Sequence, residues 1–269
     1  MDEQRMDEQP AGEQPDKLFA EQLTDEERRP PGKPAWGVLE ALSVIVLTFG
    51  IRTFIPLQNL ALYQKLSRQF SPDNPLFGAI FLESLLQALL ILGLIALWLK
   101  LKYRLPWREL GLQRESYPGW AWLGFKQGLL LFVGVTLLSM LLITVYPFEV
   151  KPQQSAEVFS AAATWQQMFL VTCVVSLLAP ISEEMYFRGF LYPALRKRFG
   201  RIAAIILAGA FFGLLHFDLL RFIPITLGGV WLTLLYERTG SLYPAIMAHA
   251  VWNALMISVV FLSAALTAA

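Results

Sequence analysis

Seven apolar segments constrain this chain more than any other feature it has. They run roughly over 36–57, 78–100, 119–147, 164–198, 200–217, 219–236 and 241–264. A helix needs about 20 apolar residues, at ~1.5 Å each, to cross the hydrocarbon of a bilayer. Most of the seven reach that length. The fifth and sixth are short and parted only around "HFDLL", so one of them is expected to be tilted or part-crossing. The period-2 alternation of a membrane barrel is absent. Charged residues make up 16% of the chain and hydrophobic ones 55%, whereas a soluble domain carries about 25% charged residues. The expected fold is all-α: a polytopic membrane bundle of about seven transmembrane helices.

Residues 1–35 differ from everything after them. They hold 10 of the 21 acidic residues, and the four residues MDEQ occur twice, at 1–4 and 6–9. High charge with Gln and Pro and few aromatics cannot bury enough surface to offset ordering entropy, so this stretch is expected to be a disordered acidic tail. Its acidic start is not that of a secretory signal. The chain therefore divides into the tail, 1–35; N-terminal transmembrane segments, 36–160; and a last group of helices, 161–264. A net charge of +1 gives no reason to expect a nucleic-acid partner. The single cysteine, Cys173, lies in an apolar segment and allows no disulfide within the chain.

The cations give an orientation. With the N-terminus in the cytoplasm, the inside segments hold 15 Lys and Arg and the outside segments 4, with Arg52, Lys126 and Arg188 falling within crossings. That bias is the positive-inside pattern. It predicts a multi-pass integral membrane protein with a cytoplasmic N-terminus.

The fourth segment contains "APISEEMYFRGF", residues 179–190, with three ionisable groups at membrane depth. Ionisable groups there cost about 2.5–3.5 kcal/mol each on the translocon scale and are functional by default. Glu184 and Arg188 are four residues apart and share a helix face, so they can pair. Glu183 is rotated from Glu184 by about 100° and is left without that partner. Pro180, just upstream, loosens the helix and frees backbone groups.

The chain has two histidines, His216 and His249, and both lie in apolar surroundings. Glu183 stands 17 residues before Gly200 and His216 stands 16 after it, so a helical hairpin turning there would set them level. Phe212 precedes His216 by four residues, and Asn253 follows His249 by four. A carboxylate beside an imidazole can activate water as a general base. A second His and an Asn amide can donate hydrogen bonds to a developing oxyanion. Glu and His together can also hold a divalent metal that acidifies a bound water. No serine sits in a nucleophile elbow and HExxH is missing. The inventory fits attack by water on an amide better than acyl-enzyme chemistry.

"EEMYFR" at 183–188 matches EExxxR, "FGLLH" at 212–216 matches FxxxH, and "HAVWN" at 249–253 matches HxxxN. Each motif alone is weak, but in this order on successive apolar segments the set resembles the CPBP family, relatives of the type II CAAX prenyl endopeptidases, also called the Abi family. "WRELGL" at 107–112 resembles a short stretch seen upstream in that family. The resemblance covers about 164–258 and implies an intramembrane endopeptidase acting on a peptide or lipidated protein, as on prenylated CAAX tails. It implies that Glu183 and His216 activate the water, that His249 and Asn253 stabilise the oxyanion, and that Glu184, Arg188 and Phe212 support the site. Two chemistries remain open. Glu183, His216 and His249 could hold a divalent metal such as zinc, or Glu183 could act without metal as the base, which is the preferred reading.

Two other classes fit parts of the pattern. A non-catalytic immunity or assembly factor could use the same scaffold, although a full Glu183, His216, His249 and Asn253 set speaks against it. A transporter or proton relay would also bury carboxylates and imidazoles, and Glu83 and Lys126, within the second and third segments, suit that reading. The paired halves or matching broken helices of a transporter are not visible.

Overall fold

The computed structural model describes residues 34–56, 59–71, 75–112, 119–145, 162 and 164–268. Apart from Pro34 and Ala35, the expected tail lies outside these residues. All seven apolar segments are helical. Helix α1 is Val38–Phe54, and α2 is Ala61–Phe70. Helix α3 starts at Pro75 and ends in a π-helical turn, Leu97–Lys102. A 3₁₀ turn, Trp107–Leu110, precedes α4, Gly119–Val145. Then come α5, Trp165–Phe199; α6, Arg201–Leu214; α7, Phe222–Thr239; and α8, Leu242–Ala268. No strand occurs among the described residues.

Four of these helices are long and apolar enough to cross a membrane: Phe77–Lys102, Gly119–Val145, Trp165–Phe199 and Leu242–Leu266. The other three apolar segments form helices that do not meet both of those measures. Helix α6, with 14 residues, is about 21 Å long. The short helix α2 was not anticipated. Its Tyr63, Ser67 and Phe70 recur at helical spacing and face α3. The Tyr63 hydroxyl donates to Ala79 O at 2.9 Å, and the Phe70 ring lies 4.7 Å from that of Phe81. Burial, with the Glu83 carboxylate nearby, pushes the Tyr63 phenol up to about 12.

Two glycine pairs set the closest packing. A Cβ on Gly124 would lie 2.6 Å from Met247 Cβ, and one on Gly128 would lie 2.6 Å from Ala248 O. Helix α4 therefore presses against the backbone of α8 beside His249. Gly209 and Gly213 do the same for α6 against α7, where added Cβ atoms would meet Val230 and Thr226 at 2.5 and 2.2 Å. Small residues four apart let apolar helices approach where water supplies no driving force.

The "WRELGL" stretch is a latch. Leu110 is fully buried, and its carbonyl accepts from the Tyr236 hydroxyl at 3.1 Å. Gly111 turns the chain at φ +87° and its carbonyl takes the Leu242 N–H at 3.0 Å. Any side chain there would be both strained and within 2.7 Å of the Tyr236 ring. Below it, the Leu110 side chain closes on Gly189 of α5. From the other end of the chain, Trp36 stacks on Phe190 with centroids 4.8 Å apart, and its indole N–H donates to Phe190 O at 2.7 Å.

Candidate active site

Helix α5 carries the two glutamates, and it is not a regular helix. Its α-helical parts, Trp165–Cys173, Ala179–Glu184 and Tyr192–Phe199, are separated by π-helical turns at Val174–Leu178 and Met185–Leu191. Each π turn runs up to a proline, Pro180 or Pro193, whose missing N–H breaks the regular ladder. Such turns mark sites where a helix is re-aimed. Here the two turns bracket the segment that ends in Glu183 and Glu184.

The adjacent carboxylates have opposite surroundings. Glu184 and Arg188 have no exposed side-chain surface, and Arg188 Nη1 donates to Glu184 Oε1 at 2.7 Å. Arg188 Nη2 donates to the Gly229 carbonyl of α7 at 2.8 Å. The same Glu184 Oε1 lies 2.8 Å from His249 Nδ1. A carboxylate paired with Arg188 accepts, so Nδ1 of His249 is the donor and Nε2 is turned the other way. Nε2 lies 3.9 Å from Oε2 of Glu183, whose side chain keeps 21% of its surface exposed.

Phe212 is the hub of the cluster. Its ring is 4.8 Å from the His216 ring, 5.6 Å from that of His249, and 4.8 Å from the Arg188 guanidinium carbon. A guanidinium over an aromatic face is attracted by the ring quadrupole. His216 lies just past the end of α6, in an exposed turn. Its Nδ1 is 2.7 Å from Phe212 O, which can only accept, so Nδ1 carries the hydrogen and Nε2 is free. The Asn253 amide donates to Val175 O at 2.9 Å.

The expected residues therefore fall in one neighbourhood built by α5, α6 and α8, with pairings the sequence did not give. Glu183 has its imidazole neighbour in His249, and His216 packs against Phe212. The bond from His249 to Glu184 joins residues 65 apart and has no local signal. The role of Gly229 does have one. Two successive glycines in an apolar helix, Gly228 and Gly229, mark a close approach, and a Cβ on Gly228 would meet the Trp252 ring at 2.9 Å.

Catalytic zinc is held by three protein ligands. Among the described residues no three His, Cys, Asp or Glu gather to hold a metal ion.

Residues 164–255 match the family described as "Type II CAAX prenyl endopeptidase Rce1-like". Over 92 residues the chain is 30% identical to a protein of Bacillus subtilis (strain 168) named "Putative membrane peptidase YdiL". That alignment takes in 34% of this chain and 38% of the relative, so the chain matches well under half of the relative's length. No solved structure matches. All seven residues singled out from the sequence lie inside the matched stretch.

Proposed function

We propose, from the match of residues 164–255 to the type II CAAX prenyl endopeptidase Rce1-like family, that this integral membrane protein is an endopeptidase. It hydrolyses a peptide bond of a membrane-associated substrate, of which a prenylated CAAX-type tail is one chemical class. The observation that carries this reading is the division of labour between two neighbouring carboxylates. Glu184 is sealed and committed to Arg188 and His249, whereas Glu183 keeps part of its side chain exposed and faces the open nitrogen of His249.

Glu183 takes the proton of a water placed between it and the substrate carbonyl, as a general base does. The attack makes a tetrahedral oxyanion. His249 meets it through Nε2–H in its doubly protonated form, because Nδ1–H is fixed on Glu184. Asn253 offers it the amide hydrogen not given to Val175, while the free Nε2 of His216 is an acceptor and takes a hydrogen bond from the attacking water. Donors held in place before the charge develops are the most effective kind. Glu183 then passes its proton to the leaving amine, and the site returns to its starting state. Glu184 and Arg188 act through His249 by holding its ring.

The positive-inside count of 15 against 4 puts the N-terminus, the stretch around Arg104 and the turn at Arg196–Arg201 in the cytoplasm. A cysteine introduced near Arg104 or in the turn at Arg196–Arg201 should resist labelling from outside intact cells.

The test of activity compares the peptides of membranes carrying the wild type with those carrying Glu183→Gln. A cleavage product present only with the wild type is expected, and it would name the substrate as well. Equal products from both would remove Glu183 from the chemistry.

A further inference from the structure

We infer that Asn253 is a positioning residue that holds the first π turn of α5 in the shape that aims Glu183 and Glu184. This inference deepens the protease reading for activity and rests on it there, but its structural part stands alone. In a regular α-helix the Val175 carbonyl would take the N–H of Ala179. That N–H goes one residue back, to Val174 O. The next possible donor, five residues on from Val175, is Pro180, which has no N–H. Neither helical register leaves a donor for the Val175 carbonyl. The Asn253 amide of α8, 78 residues away in sequence, takes it at 2.9 Å.

A freed carbonyl inside an apolar bundle is costly, because no water is at hand to satisfy it. Supplying the missing donor from α8 lets the π turn persist. The consequence reaches the site through geometry. A π turn carries an extra residue, and closing it would rotate everything that follows by about 100°. Glu184 and Arg188 would turn together away from His249 and the Gly229 carbonyl, and Glu183 would turn from His249. Asn253 stands one turn after His249 on the same helix. One face of α8 therefore grips both the carboxylate and the backbone defect that aims it.

The test is a double-mutant cycle on the full chain in detergent. Asn253→Leu keeps the volume and removes the donor. Pro180→Ala returns an N–H that the Val175 carbonyl can accept in the π register. Deuterium uptake in peptides spanning 174–184 is the first readout, since local opening is reported there without any substrate. Asn253→Leu is expected to raise uptake and lower the melting temperature. In the Pro180→Ala background most of both effects should vanish. With a cleavable peptide, Asn253→Leu should lower kcat with little change in KM, and Pro180→Ala should restore part of the lost kcat. A backbone donor at residue 180 could not restore a lost oxyanion contact.

Unchanged uptake in Asn253→Leu would overturn the clamp, even if cleavage were lost. Effects of the two changes that simply add would overturn it as well. If Pro180→Ala does not fold, the uptake of Asn253→Leu decides alone. Raised uptake in a protein whose wild type cleaves nothing would uphold the clamp and sink the protease reading, so the two failures remain distinct.

Discussion

Two of the carboxylate–arginine pairs among the described residues are built to different ends. Arg52 and Glu83 join α1 to α3 at 3.1 Å, with 26% and 30% of their side chains exposed. Gln87 and Tyr63 complete that cluster, and no imidazole enters it. Arg188 and Glu184 meet at 2.7 Å with nothing exposed, and the carboxylate also holds His249. A half-wet pair costs little to make and returns little. A dry pair leaves a stranded charge when one partner goes. The first pair is a fastening between helices. The second spends a buried charge to set the orientation of a ring. Glu83, which as a sequence feature suited a transporter, is occupied by Arg52 and Tyr63.

The largest effect expected on this contrast comes from a residue in neither pair. Glu183→Gln should lower cleavage by roughly 10²–10⁴-fold, the worth of general-base assistance, while thermal unfolding stays where it was. Unfolding of this variant beside a stable, inactive Glu184→Gln would show that the two glutamates have exchanged roles. Next, Arg188→Ala or Glu184→Gln should cost about 3–5 kcal/mol, as breaking a buried pair does, and be seen as poor expression and an early melt. Glu184→Gln with Arg188→Met should recover part of that stability without restoring cleavage, because His249 still lacks its carboxylate. Arg52→Ala and Glu83→Gln should cost no more than about 1 kcal/mol and leave cleavage intact. A large loss of activity from either would move the outer pair into the function. Least of all, removal of residues 1–33 should alter neither melting nor cleavage, since they contain no apolar stretch to join the bundle.

Helix placement was legible because apolar length and polar breaks are local properties. The Glu184–Arg188 pair was legible for the same reason: four residues on a helix fix its geometry. His216 shows where local reading stops. The apolar run continues past Leu214, but the helix does not. Phe217 takes φ +51°, and Asp218 captures the Arg221 backbone N–H at 3.0 Å. This turn brings His216 out to an exposed position. The bond from Asn253 to Val175 and the one from His249 to Glu184 depend on how α8 rests on α5, which no window of residues encodes. Gly124 and Gly128 were the available hint, since their spacing marks the face on which α4 fixes α8.

Trp36 bears on the order in which the molecule can be assembled. Its partner, Phe190, is 154 residues further along, so α1 enters the membrane long before the surface it seats against has been made. Closing so long a loop is only slightly harder than closing a short one, about 0.6 kcal/mol for each doubling. The contact is therefore thermodynamically accessible but late. The indole must wait unseated while α2, α3 and α4 are made, and it docks only after α5 has emerged from the ribosome. A chain cut short before residue 190 leaves that indole unseated, a mark by which an unfinished copy differs from a finished one.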